Sequence, residues 1–504
     1  MKGVLLLGCT VVALAGGAAV CERGFASADW KLGRYTTRTG DVVVVDIPVD
    51  RPDSGAATLP YDFSKFGSRP FEATIKARGF NLTKPTPGWL GFKFMATYRD
   101  RQTGQNVYPG ARQISGTFPW QTVVLTDATF SRDGTTGRDA GQFTLGLQGG
   151  GGRVEFDLST MVVRERPPLW PTTNETVRCA YTPHVRDLPV HKGVMLGHGM
   201  KESDFKDLHA WGVTLARFQM SRDWNTPGGN RDLADYDRYI DSCLDDLENH
   251  LAWAKKYGIK IVVDLHAAPG ARDANYDLAM CHDTKYADHF IATWRKIATR
   301  FRGRPEIFGF DLVNEPQQAH TALPGCDYWS IQSRAAEAIR AIDPETPIII
   351  ESNHYDATSA FAFMMPLALT NVIYQAHMYV PMEFTHQGVF DKNAPATVYP
   401  DAAKGWNIDL IRKTLAPVRE FQQRHGARIY MGEFSAIVWG EGAADYLRDC
   451  ISVFDEYGWD WSYHAFREWN GWSIEHEATP AERGRPRPSA DNPRKRVLLE
   501  SFAR

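Results

Sequence analysis

The sequence predicts an antiparallel β-sandwich followed by a closed (β/α)8 TIM barrel, and three observations predict it. From residue 30 to about 166, short alternating strands are broken by Gly, Asp and Pro. The run "RERPPLWP", residues 164 to 171, then places consecutive prolines where neither a helix nor a central strand tolerates them. From about residue 185 onward, continuous apolar strands alternate with amphipathic stretches, eight of each, the rhythm of a parallel sheet closed into a barrel.

Taken in order, the first element is "MKGVLLLGCTVVALAGGAAVCERGFASADW", in which Lys2 precedes an apolar stretch and Ala26, Ser27 and Ala28 form a small-x-small cleavage site. This reads as a secretory signal over residues 1 to 28, being short and Gly-rich against the roughly 20 apolar residues of a membrane span. Cleavage there leaves Cys179, Cys243, Cys281, Cys326 and Cys450, an odd number that allows two disulfides at most and shows no zinc-site spacing.

The sandwich, residues 29 to 166, is carried by "DVVVVDIPV", "FEATIKARGF", "GWLGFKFMATY", "QTVVLTDATF", "GQFTLGLQ" and "GRVEFDLSTMVV". A linker over 167 to 184 separates it from the barrel over 185 to 504. Barrel strands are expected at "GVMLGHG", "VTLARFQ", "KIVVDLHA", "IFGFDLVNE", "PIIIESN", "VIYQAHMY", "RIYMGEFS" and "WDWSYHAF". Stretches such as "YDRYIDSCLDDLENHLAWAKKYG" and "HFIATWRKIATRF" supply helices between them, and "NPRKRVLLESFAR" a last one.

With 504 residues, 43% of them hydrophobic and 12% aromatic, the chain can fill two cores. A formal net charge of −3, without any long run of Lys or Arg, gives no reason to expect a nucleic acid or an anionic membrane as partner, and no later segment is apolar enough to span a bilayer.

A barrel of this kind does its chemistry at the C-terminal ends of its strands, so the residues found there matter most. They are polar: Arg217 on strand two, His266 ending strand three, Asn314 and Glu315 ending strand four, and Asn353 ending strand five. His377 and Tyr379 end strand six, Glu433 ends strand seven, and Trp469 and Trp472 follow strand eight. Two glutamates on strands four and seven can face each other across the mouth, the arrangement that splits a glycosidic bond. One carboxylic acid protonates the leaving oxygen while the other carboxylate attacks or stabilises the anomeric carbon, and their surroundings must differ for the two roles. Arg217 and Tyr379 are placed to hold Glu433 ionised, and Asn314 to donate to a sugar 2-hydroxyl. A metal hydrolase built on His198, Asp264, His266 and His377 lacks any tight ligand motif, and no G-x-S-x-G elbow or nucleotide loop supports acyl or phosphoryl transfer.

The combination "LARF", "VVDLHAAPG", "FDLVNEP", "AHMY" and "YMGEFS" resembles the retaining (β/α)8 glycoside hydrolases, and among them family 5, the cellulase family A group. The resemblance covers roughly 185 to 504. It implies Glu315 as acid/base and Glu433 as nucleophile, with Arg217, His266, Asn314, His377 and Tyr379 lining the subsite of cleavage. The family usually ends strand eight with a Trp that serves as a sugar platform. Here "SYHAFREWNGW" sets His464 and Phe466 near that position, leaving Trp469 or Trp472 for the platform, Trp469 being the one expected. The sandwich resembles the jelly-roll carbohydrate-binding modules attached to such enzymes, with Trp89, Tyr98 and Trp120 as candidate stacking faces.

The expectation is therefore a secreted, periplasmic or cell-surface retaining glycosidase acting on a β-linked polysaccharide or oligosaccharide, β-1,4-glucan first. Mannan, xyloglucan and β-1,3-glucan stand as alternatives within the same chemistry, and a barrel that only binds carbohydrate as the alternative outside it. No metal and no organic cofactor is implied.

Overall fold

The computed structural model describes residues 20–67, 71–85, 89–99, 101, 106–127, 137–165, 177–320 and 322–504, which divide into two compact units, one ending at Pro168 and the other beginning at Leu169. In the first unit, two antiparallel sheets of six and five strands pack their apolar faces together. The strand Phe71–Leu82 shows why: Phe71, Ala73, Ile75 and Ala77 are buried while Lys76 between them is exposed, the period of two of a sheet wet on one face. Phe63, Phe71, Phe143 and Tyr61 fill part of the core with mutual ring contacts.

Two boundaries need correction. The strand Cys21–Glu22 pairs antiparallel with Arg164 and Val163, and Phe25 lies in the sandwich core, so the unit begins at or before residue 20 and not at 29. Residues 167–176 of the expected linker lie outside the described residues. The remainder is not linker, because the Cys179 N–H donates to the His425 carbonyl at 2.8 Å and the Tyr181 hydroxyl to the Val372 carbonyl at 2.8 Å, which brings the barrel unit's start forward from 185. Tyr98 is also reassigned. It is 3% exposed, and its hydroxyl donates to Asp127, which takes a second bond from Arg138, so it belongs to the core and presents no stacking face.

The second unit is the closed barrel. Its strands are β1 (Lys192–Leu196), β2 (Leu215–Gln219), β3 (Lys260–Asp264), β4 (Ile307–Asp311), β5 (Ile348–Glu351), β6 (Val372–Met378), β7 (Arg428–Phe434) and β8 (Asp460–Phe466). Each pairs parallel with the next, and β8 returns to β1 through Lys192 opposite Trp461. All eight expected strands are present. β4 is shorter than expected, ending at Asp311, so Asn314 and Glu315 stand on the turn that follows.

The barrel interior is layered. Leu215, Val262, Ile349 and Ile373 belong to one apolar cluster with Phe308 and Tyr430. Two residues farther along the same strands come Arg217, Asp264, Glu351 and Gln375, all buried. Because side chains on one face repeat every second residue, the sequence step from apolar to polar becomes a spatial step from a greasy floor to a charged upper layer. The outer helices carry ordinary end signals, as in Leu233–Tyr257, where the Asp232 side chain caps the start and left-handed Gly258 ends it. Among the described residues, no helix is long and apolar enough to cross a membrane. Cys21, Cys179, Cys243, Cys281, Cys326 and Cys450 are all free thiols.

Candidate active site

The charged layer is organised by Arg217, fully buried on β2. Its Nη1 donates to Glu433 Oε1 at 2.7 Å, Nε to Asp311 Oδ2 at 2.9 Å, and Nη2 to Glu351 Oε1 at 2.9 Å and Asn314 Oδ1 at 3.1 Å. Asp264 Oδ2 lies 3.2 Å from the same Nη2. One planar cation thus fixes residues from β3, β5 and β7 and from β4 with its following turn, which suits the rigid fork of Arg and not the point charge of Lys. Burial has the opposite effect on the acids: it raises Asp264 to about 7, Asp311 to about 6 and Glu351 well above the ordinary range.

Glu433 behaves differently although it is buried as deeply. Burial would raise its pKa, but His377, His464 and Arg217 outweigh that and hold it well below the usual carboxylate range. The Tyr379 hydroxyl donates to Glu433 Oε2 at 2.8 Å, and His464 Nδ1 lies 3.3 Å from the same oxygen. His464 stands at the place expected of a Trp: burial disfavours its charge, but Glu468 and Glu433 raise its pKa well above an ordinary histidine. Glu468 sits 3.2 Å from its Nε2 and also accepts from the Gln219 amide at 3.0 Å.

Glu315 faces Glu433 across His377. His377 Nδ1 is 3.0 Å from Glu315 Oε1 and 3.8 Å from Glu433 Oε2, and a carboxylate oxygen of each glutamate lies within 4.8 Å of the other. Burial disfavours charge on His377, yet the acids around it raise it to about 9. Glu315 adopts a left-handed backbone with φ of 48°, rare for a residue with a side chain, and two bonds hold it there. Its N–H donates to Glu351 Oε2 at 2.6 Å, and its carbonyl accepts from Arg272 Nη2 at 2.8 Å. Gly432 precedes Glu433 where a Cβ would come within 2.4 Å of the Gln375 side chain, whose amide donates to Glu351.

The remaining expected residues also converge. Asn314, oriented by Arg217 at its oxygen, keeps a buried Nδ2 with no partner among the described residues. His266 Nδ1 is 2.7 Å from Asp264 Oδ2, and burial lowers its pKa to about 3, so the ring is neutral. Trp472, 7% exposed, packs against Tyr379, His386 and His464 as a wall, whereas Trp469 is 42% exposed at the rim. Asn353 is not at the site; it exchanges hydrogen bonds with the Gln318 backbone. His198 Nε2 pairs with the Ser221 hydroxyl at 2.9 Å. Glu351, Arg272 and Glu468 were not anticipated. For Glu351 and Glu468 a signal existed, since one ends a strand and the other follows one; Arg272 lies in an aperiodic loop that offered none.

Comparison with known proteins places these residues in context. Endoglucanase C of Acetivibrio thermocellus is 29% identical over 258 residues, 45% of this chain and 72% of its own. Cellodextrinase A of Ruminococcus flavefaciens is 26% identical over 288 residues, 54% of this chain and 80% of its own. A solved structure of Thermotoga maritima Cel5A in complex with cellobiose is 20% identical, covers 64% of this chain and 100% of its own, and superposes with a TM-score of 0.49. The cellulase model, glycosyl hydrolase family 5, matches residues 181–470, a span that contains Arg217, Glu315 and Glu433. A match of that extent over the catalytic barrel makes this chain a glycosidase and a member of the cellulase family, glycosyl hydrolase family 5.

Proposed function

We propose that the chain is an exported, retaining glycosidase that cleaves β-1,4-linked glucan by double displacement. The observation that carries the retaining assignment is the approach of a Glu315 oxygen to within 4.8 Å of a Glu433 oxygen. Retaining enzymes hold their carboxyl groups about 5–5.5 Å apart, whereas inverting enzymes need about 6.5–9.5 Å to admit a water between base and sugar. Glu433, kept ionised by its cations, attacks the anomeric carbon as Glu315 delivers a proton to the departing oxygen. The resulting glycosyl ester is then hydrolysed: Glu315 takes a proton from water, the oxygen attacks the anomeric carbon, and the ester bond to Glu433 breaks. His377 Nδ1 occupies Glu315 Oε1, so Oε2 is the oxygen that carries the transferred proton.

The unpartnered Nδ2 of Asn314 serves the sugar 2-hydroxyl, Arg217, His266, His377 and Tyr379 line the subsite, and Trp469 supplies a stacking face. The relatives named endoglucanase and cellodextrinase support the β-glucan assignment. The apolar leader supports export, with cleavage ahead of Val20 since residues from Val20 pack with the sandwich. Trp89 and Trp120, both exposed, are the faces by which the sandwich would hold carbohydrate.

The test is reducing-sugar release from carboxymethyl-cellulose, mannan, xyloglucan, laminarin and xylan, with the first-formed anomer read by proton NMR. A β-anomer from a β-glucan is expected, with Glu433→Gln slower by on the order of 10⁴-fold, a barrier rise of about 5 kcal/mol. An α-anomer as first product overturns the retaining mechanism. Binding of cello-oligosaccharide without turnover of any substrate returns the barrel to a purely binding role.

A further inference from the structure

Neither displacement step gives His464 or Glu468 a part, although the His464 ring lies against Glu433. His464 Nδ1 is 2.7 Å from the Tyr379 hydroxyl oxygen and 3.3 Å from Glu433 Oε2. Its Nε2 is sealed from water and lies 3.2 Å from Glu468 Oε2. Glu468 Oε2 in turn accepts from the Gln219 amide at 3.0 Å, and that amide also donates to the Leu196 carbonyl at 2.8 Å, which ties the carboxylate to the ends of β1 and β2. The Trp472 ring stacks on His464 with 29° between their planes.

We propose that His464 is a further catalytic residue, an imidazolium that stabilises the Glu433 carboxylate as it leaves the glycosyl ester, and that Glu468 is the positioning residue that keeps it charged and in place. The proposal rests on the retaining reading above. A ring with a carboxylate facing each nitrogen holds both of its protons, because an ionised carboxylate only accepts. The other titratable neighbours agree with this. The Tyr379 hydroxyl gives its own proton to Glu433 and so accepts from Nδ1. His386, across Trp472, is lowered to about 4 by burial and by His464. Burial would raise Glu468, but His464 outweighs it and holds the acid below the usual range.

The two halves of the reaction change the charge of Glu433 in opposite directions. Arg217 occupies Glu433 Oε1 at 2.7 Å, so Oε2, the oxygen toward His377 and His464, forms the ester. As Oε2 attacks the anomeric carbon its negative charge is lost, and a cation beside it favours the starting carboxylate over that transition state. In the second half Glu315 takes a proton from water and the water oxygen bonds to the anomeric carbon. The electron pair of the breaking ester bond then returns to Oε2. The same cation now favours the transition state over the ester, so His464 serves the second step and not the first. While the ester stands, Glu433 cannot balance the ring, and Glu468 does.

The test compares wild type, His464→Phe and Glu468→Gln on an aryl β-glycoside of the sugar that the polysaccharide screen identifies, aryl β-cellobioside first. Aryl alcohol release is followed by stopped flow and the protein by intact mass spectrometry. His464→Phe keeps a ring against Trp472 and removes the cation. Its kcat should fall about 10- to 100-fold, the scale of a hydrogen bond to a charged group, and KM should fall with it. The ratio kcat/KM, which reports only the first step for this substrate, should stay within about threefold of wild type. A burst of aryl alcohol and a mass increase of one glycosyl unit should mark the accumulated ester. Glu468→Gln leaves an amide beside Gln219 and should show the same split, so it provides the readout should His464→Phe fail to fold. An unchanged kcat, or a loss in kcat/KM as large as the loss in kcat with no burst, overturns the proposal and leaves His464 a packing residue. Those outcomes leave the retaining reading in place as long as wild type releases the β-anomer. An α-anomer from wild type, or no turnover of any substrate in the screen, overturns that reading and this proposal with it.

Discussion

Glu433 and His377 have opposite pKa shifts, and the two signs set the pH range over which the site holds together. Glu433 is depressed below its unfolded value, so its contribution to stability is present above about pH 4.5 and is lost as pH falls through the folded value. His377 is raised to about 9 against an unfolded value near 6.5. Its contribution is complete below about pH 6.5 and disappears as pH rises through about 9. Wild-type melting temperature should therefore fall between pH 6.5 and 9, and melts across paired buffers should show a flatter slope for His377→Gln. A residual slope remains in the variant, because burial raises Asp356 to about 8 and costs stability over its own rise from 3.8. Equal slopes in both proteins would remove His377 from this role. At this scale the sequence was most legible where a polar residue breaks an apolar run, as at Asn314, Glu315 and Glu433. It was least legible at strand five. Glu351 and Asn353 share a parity there, and only the turn after Glu351, with His354 and Tyr355 at φ of 60°, decides that the acid enters the barrel and the amide does not.

Among the elements, the turn after β4 is the one that function bends out of regularity. A continuous strand through Glu315 would follow from the apolar run "FGFDLV", yet β4 stops at Asp311 and Glu315 takes a left-handed conformation costing roughly 1–2 kcal/mol. The bonds from Arg272 and to Glu351 compensate for it. Arg272 is itself buried, with its guanidinium 5.5 Å from the Trp224 ring and 5.2 Å from the Tyr355 ring. Replacing it by Met keeps most of the volume and deletes the bond to the Glu315 carbonyl. Misplacing a catalytic group by about 1 Å can cost up to about 10²-fold. Arg272→Met should lower kcat by about 10- to 100-fold with KM little changed, measured on a soluble β-glucan. A variant with wild-type kcat would show that Glu351 alone holds the turn. This turn was hidden in the sequence because a hydrophobic run fixes where a strand runs but not the residue at which the backbone leaves it.

For the whole molecule, the two-unit plan and all eight barrel strands followed from periodicity, because burial on both faces of a parallel strand leaves a continuous apolar run that composition cannot disguise. The N-terminal boundary did not follow, and the reason is physical. Ala26, Ser27 and Ala28 meet the local requirement for cleavage, but the residues before them are held by contacts distant in sequence: Glu22 accepts from Tyr61 at 2.8 Å and is paired with Lys65 at 2.6 Å, and Cys21 pairs with Arg164. A cut after Ala28 would remove the Cys21–Glu22 strand and empty the core position of Phe25, a loss of about 3–5 kcal/mol on the scale of large-to-small core changes. A protease and a folded sandwich therefore read the same stretch differently, and on the proposed export the mature product has to keep the residues that the sandwich buries. N-terminal sequencing of the secreted protein should begin at Val20 or earlier, and a chain engineered to start at Asp29 should melt at lower temperature in its sandwich transition while the barrel transition stays in place. Recovery of a native product beginning at Asp29, with the sandwich melting unchanged, would show that the first strand and Phe25 are dispensable.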